Sequence, residues 1–172
     1  MDHAVTFLDS GTPKDKVTQA RLELHGRLNR AVADARRRNG IDIYLPVEPI
    51  HGFIVPASFL VSKVSPGFAA QTSPSETMGH LTKDFGPSED ITLDEVAGVR
   101  CQRSVPADPK QEDSVPSRQV NYVVPVPDPE GVSEWLIVSF TALTPEGIPQ
   151  EFLDILTELF DAVLTTFRWS PA

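Results

Sequence analysis

Cysteine is almost absent from this chain, since Cys101 is the only one in 172 residues. A single thiol closes no internal disulfide, so the fold rests on packing, and a reducing, cytoplasmic location is the expectation. Long apolar runs are missing as well. No stretch approaches the roughly 20 residues that a bilayer-crossing helix needs, and the opening MDHAVTFLDSG has neither the basic nor the apolar region of a secretory signal. The ten glycines sit singly at turn-like places, so neither G-x-G-x-x-G nor G-x-x-x-x-G-K is present to cradle a phosphate. His3, His25, His51 and His80 are scattered, with no HxH, HExxH or CxxC pattern, and no G-x-S-x-G elbow presents a serine. No metal, cofactor or catalytic residue is expected.

Positive charge is scarce: 15 Lys and Arg stand against 24 Asp and Glu, for a net charge of −9 and a pI near 4.8. That excess argues against nucleic-acid binding, which needs a positive surface for the phosphates. The charges are also unevenly placed. Residues 1–39 hold 8 cations and 5 anions, net +3, whereas residues 40–172 hold 7 and 19, net −12. A basic N-terminal segment is joined to an acidic body, and docking of one on the other, within a chain or between chains, follows naturally. Hydrophobic residues make up 40% of the sequence, enough for one domain spanning 1–172.

What is present is an α+β pattern organised around residues 135–169. WLIVSFTAL, Trp135 to Leu143, is nearly unbroken apolar sequence rich in β-branched and aromatic types, which predicts a central strand packed on both faces. Thr144-Pro145-Glu146-Gly147 supplies a turn, and Pro149 suits the first turn of a helix. Beyond it Ile155, Leu156, Leu159, Phe160, Val163 and Phe167 recur at helical spacing, which predicts a long terminal helix with a wide apolar stripe covering a sheet. Glu151, Asp154, Glu158 and Asp161 then form an acidic outer face without an i,i+4 cation.

Earlier in the chain, residues 13–39 predict a long helix closed by Asn39-Gly40, with Gly40 in the left-handed cap conformation. Its thin apolar stripe, Val17, Ala20, Leu24, Leu28, Ala31, Val32 and Ala35, suits packing on the sheet's edge or self-association. Arg36, Arg37 and Arg38 at its end form either a solvated terminus that complements the helix dipole or a site for an acidic partner. Alternation over 41–48 predicts a half-buried strand with Pro46 marking an edge, and residues 57–64 predict its hairpin partner. Ser73-Pro74-Ser75-Glu76 is a capping box opening a short helix to about Lys83. Residues 85–90 predict a loop before an alternating strand through Val99, Cys101, Arg103 and Val105, and residues 106–116 predict an exposed loop. Val120, Tyr122, Val124 and Val126 then predict a further strand, so the last strands form an antiparallel meander. Cys101, in phase with Val99, is expected to be a buried, inert thiol. The carboxylate pairs Glu89-Asp90 and Asp94-Glu95 offer acid–base chemistry only if they face a pocket. Arg100 and Arg103 lie on opposite strand faces, and the one toward the core needs an acidic or carbonyl partner, either structural or a bound anion.

The succession GVRCQR, RQVNYVVPVP, WLIVSFTAL and LFDAVLTTFRW, covering residues 98–169, resembles the PsbP-like α+β fold. That fold is shared by photosystem extrinsic subunits, a Ran-binding nuclear import factor and the bacterial DcrB-like and LpqN-like proteins. Thr166-Phe167-Arg168-Trp169 is similar to the tail that follows the terminal helix in these proteins. The resemblance implies a twisted antiparallel sheet of five or six strands packed by the terminal helix, here with an additional N-terminal helix. It also implies a family without a common catalytic centre, whose characterised members mostly bind proteins, including as adaptors for secretion-system effectors. The expectation is therefore a non-catalytic module that binds a protein or a second copy of itself. Its candidate surfaces are the acidic helix face, the basic run and the 106–116 loop. A carrier of a small apolar molecule between sheet and helix is the alternative, and an enzyme using Arg100 or Arg103 with a nearby carboxylate is a third.

Overall fold

The computed structural model describes residues 33, 36, 37, 39–46, 55–67, 72–110 and 114–170. Their order is β1 (Gly40–Tyr44), β2 (Ala57–Val64), α1 (Pro74–Thr82), β3 (Ser88–Leu93), β4 (Val96–Val105), β5 (Ser117–Pro125), β6 (Trp135–Leu143) and α2 (Gln150–Thr165). The strands form one six-stranded sheet ordered β1-β2-β6-β5-β4-β3, antiparallel at every step. β4 to β6 are the expected meander, and β3 extends it by one strand that the sequence reading did not separate from β4. β2 then pairs with the free side of β6, which places Trp135–Leu143 inside the sheet, and β1 forms the edge that Pro46 suggested. Of the helix expected over 13–39, Ala33, Arg36 and Arg37 are helical and Asn39 is a turn residue, and the rest lies outside the described residues.

Strand alternation sorts the two cores. In β5, Val120, Tyr122 and Val124 face α2, joined from β6 by Leu136, Val138, Phe140 and Ala142. The other face carries Val99, Cys101, Val123 and Trp135 against Met78, Leu81 and Phe85 of α1 and the loop after it. α1 starts where the capping box required: Glu76 N–H donates to Ser73 Oγ at 3.3 Å, and Ser73 N–H donates to Glu76 Oε2 at 2.9 Å. Phe160 of α2 stacks on Phe140 with centroids 4.8 Å apart and lies 5.8 Å from Tyr122 and 6.0 Å from Phe59. Aromatic side chains thus fill the space between sheet and helix where an apolar ligand was considered.

Several local expectations change. The left-handed residue before β1 is Asn39, at φ 55°, and not Gly40; asparagine tolerates this region because its short amide side chain bonds locally. β1 ends at Tyr44 instead of reaching residue 48. Part of the loop expected over 85–90 is strand, because β3 begins at Ser88 and pairs Ser88 to Leu93 with Cys101 to Val96. The two-residue connection is Asp94-Glu95, with φ of 46° and 69°. Positive φ at both positions is the type I′ signature that normally calls for Asn-Gly, and the Asp-Glu sequence hid the hairpin. Asp94 is held there by the tail after α2, accepting a 2.7 Å hydrogen bond from Trp169 N–H. Glu95, exposed and left-handed, has no such compensation, so Glu95→Gly is expected to stabilise the protein by about 1 kcal/mol, read as a higher urea midpoint at unchanged slope.

Candidate interaction surface

α2 buries Leu153, Leu156, Thr157, Phe160 and Leu164 against the sheet. One flank of that face is polar and is tied down by two arginines that the sheet projects beneath it. Arg118 is in phase with Val120 and Tyr122, so it points at the helix, and only 8% of the residue is exposed. Its Nη1 donates to Asp154 Oδ1 at 2.6 Å and to Thr157 Oγ1 at 3.3 Å. Two helical turns on, Asp161 receives Arg100 Nε at 3.0 Å, Arg100 Nη2 at 2.9 Å and the Tyr122 hydroxyl at 2.9 Å. Arg100 also reaches Glu89 at 2.8 Å and Gln102 at 3.0 Å.

The acidic face is therefore divided. Asp154 and Asp161, read from the sequence as members of an uncompensated outer row, are paired from the sheet; their cations come from β5 and β4, beyond any i,i+4 rule. Glu151 and Glu158 are exposed and join no ion pair among the described residues. The apolar stripe changes in the same way. Ile155, Leu159 and Val163 do not cover the sheet; they are 60%, 59% and 44% exposed. Tying Asp154 and Asp161 down turns the helix so that these three, at i, i+4 and i+8, line its outer side beside Glu151 and Glu158. Three large aliphatic side chains in one exposed row form a contiguous patch of the kind that marks contact sites.

Arg100 and Arg103 do occupy opposite faces. Arg103 donates to Gln119 Oε1 from Nε at 3.1 Å and from Nη2 at 2.9 Å, and to the Asp84 carbonyl. Both arginines expected to contact an anion thus have protein acceptors. Arg36 and Arg37 are exposed, and Arg38 lies outside the described residues. In the 106–116 loop, Ser114 Oγ accepts from Asp108 N–H at 2.7 Å. A shallow, open depression of about 450 Å³ is lined by Val96, Val126, Val132, Asp128 and Pro125, Pro127 and Pro129; neither carboxylate pair read from the sequence is among its lining residues. Among the described residues no three His, Cys, Asp or Glu side chains converge on a metal position, and no helix is long and apolar enough to cross a membrane. Arg118 was not singled out from sequence, although its even-numbered phase in β5 was the available signal.

Burial, and then the hydrogen bond to Asp161, raise the Tyr122 phenol above its ordinary value. Burial likewise pushes the Cys101 thiol up, with Arg100 opposing. Desolvation pulls the Arg100 guanidinium down, but Asp161 and Glu89 together hold it above its usual range. For Tyr122 the sign is that of a raised folded value. Its contribution is whole below the ordinary phenol range, about pH 10, and is lost as pH rises through the folded value. Stability is expected to fall above about pH 10, and Tyr122→Phe is expected to flatten that part of the decline in urea titrations at stepped pH. Truncating Asp161 leaves Arg100 and Tyr122 short of an acceptor beside the core. Asp161→Ala is expected to cost about 2–3 kcal/mol, while Glu158→Ala on the same helix stays within about 0.5 kcal/mol, both measured by equilibrium unfolding. A scan of the chain against protein-family models and a search of curated proteins return no match.

Proposed function

We propose that this chain is a non-catalytic protein-interaction module of the PsbP-like kind, working in the cytoplasm, that docks through the outer side of α2. The observation that carries the reading is the row Ile155, Leu159 and Val163, exposed to water beside Glu151 and Glu158. A helix anchored only for stability gains nothing from three exposed aliphatic side chains in line, whereas a docking helix needs an apolar anchor row with charges beside it to set register and partner choice. Two further observations favour this over the alternatives. The sheet–helix space that a carrier would use is filled by stacked Phe140 and Phe160, and Arg100 and Arg103, the enzyme candidates, are engaged by Asp161, Glu89 and Gln119.

Leu159→Asp is the test, because the side chain is exposed and its loss leaves the core intact. The wild-type chain, used as bait in lysate from its own cells, is expected to retain a partner that Leu159→Asp loses at equal thermal stability. Retention is expected to weaken as salt rises, since exposed charges are screened over about 8 Å at physiological ionic strength. Identical retention by both chains overturns the reading.

A further inference from the structure

The row on α2 borders a wider apolar surface. Asp154 and Asp161 fix one flank of the helix over β5 and β4, so Leu159 and Val163 lie on the flank toward β2 and β1, where Phe160 already approaches Phe59. On that side Tyr44 of the edge strand stacks on Phe59 with centroids 4.3 Å apart and is 51% exposed. The helix wall and the strand floor thus make a trough with one acidic bank, Glu151 and Glu158.

The sequence contains a segment matched to that trough. Ile155, Glu158, Leu159, Ala162 and Val163 recur in spacing as Leu24, Arg27, Leu28, Ala31 and Val32. The apolar positions are kept and the charge is inverted. This segment belongs to the part of the chain with net charge +3, against −12 for the rest, and it leads into β1, the strand bordering the trough. Ile155, Leu159 and Val163 are exposed on α2, as the side chains of a surface that meets a second molecule are.

Building on the interaction reading above, we infer that the trough along α2 receives residues 17–35 of a second copy of this chain, each copy giving its basic segment to the other. Reciprocal exchange closes about a twofold axis, so assembly stops at a dimer. It also pairs opposite charges, whereas α2 placed against a second α2 would set Glu151 and Glu158 near their own copies.

Light scattering after size exclusion, on the full chain over a broad concentration range, tests this. The wild type is expected to run as a dimer that dissociates as salt rises. Leu159→Asp and Leu28→Asp are each expected to run as monomers with a wild-type far-UV spectrum. Mixing the two variants is the decisive step: the Leu159→Asp chain still has an intact segment and the Leu28→Asp chain an intact trough, so a mixed dimer is expected, with one of its two contacts restored. A wild type that is monomeric throughout, a dimer that survives both substitutions, or variants that fail to complement overturns the proposal. If the wild type is monomeric while Leu159→Asp still loses a lysate partner, the second copy is the wrong occupant and the interaction reading stands. If Leu159→Asp changes neither result, both fall.

Discussion

The carboxylate of Asp161 sets the geometry on which the surface of this protein depends. It collects two nitrogens of Arg100 and the hydroxyl of Tyr122, and with Asp154 on Arg118 it ties one flank of α2 to β4 and β5 at two points two turns apart. Apolar packing alone would allow the helix to rotate, because Leu156, Leu159, Phe160 and Val163 are similar in kind and hydrophobic attraction has no direction. Ion pairs and hydrogen bonds do have direction. Two of them on one flank choose a single rotation, in which Phe160 meets Phe140 and Leu159 faces solvent.

The sheet makes that anchoring possible. β6 lies between β2 and β5 and is apolar on both faces, so one strand serves two cores, with α1 against Trp135 and α2 against Phe140. Antiparallel register brings Arg100 opposite Tyr122 and Glu89 opposite Arg100. The groups that gather at Asp161 are therefore cross-strand neighbours on one face. The tail after α2 ends on the β3–β4 turn through Trp169 and Asp94, which joins the helix's far end to the sheet's far edge.

Much of this was legible in sequence because it is governed by local pattern. The uninterrupted apolar run of β6, the alternation of β4 and β5, the Ser73 to Glu76 capping box and the turn at Gly147 each depend on residues within a few positions, where periodicity and backbone preference act. The misread places depend on something more distant. The β3–β4 hairpin turns on Asp94-Glu95, which carry no glycine, and the left-handed conformation of Asp94 is upheld by a backbone N–H 75 residues away. On α2, five of the six apolar positions from 155 to 163 and the following Phe167 fit a stripe wider than one sheet face can cover. Helical periodicity by itself had no means of saying which edge of that stripe would stay in water.

The amino-acid sequence by itself determined the α+β class, the central strand, the terminal helix and the separation of charge between residues 1–39 and the rest, because these follow from short-range periodicity and composition. Only the tertiary structure decided which carboxylates of α2 were paired and which aliphatic side chains were exposed. The cations that settle the matter, Arg100 and Arg118, lie 61 and 36 residues from their partners, and their reach across the sheet exists only once β4 and β5 are in register.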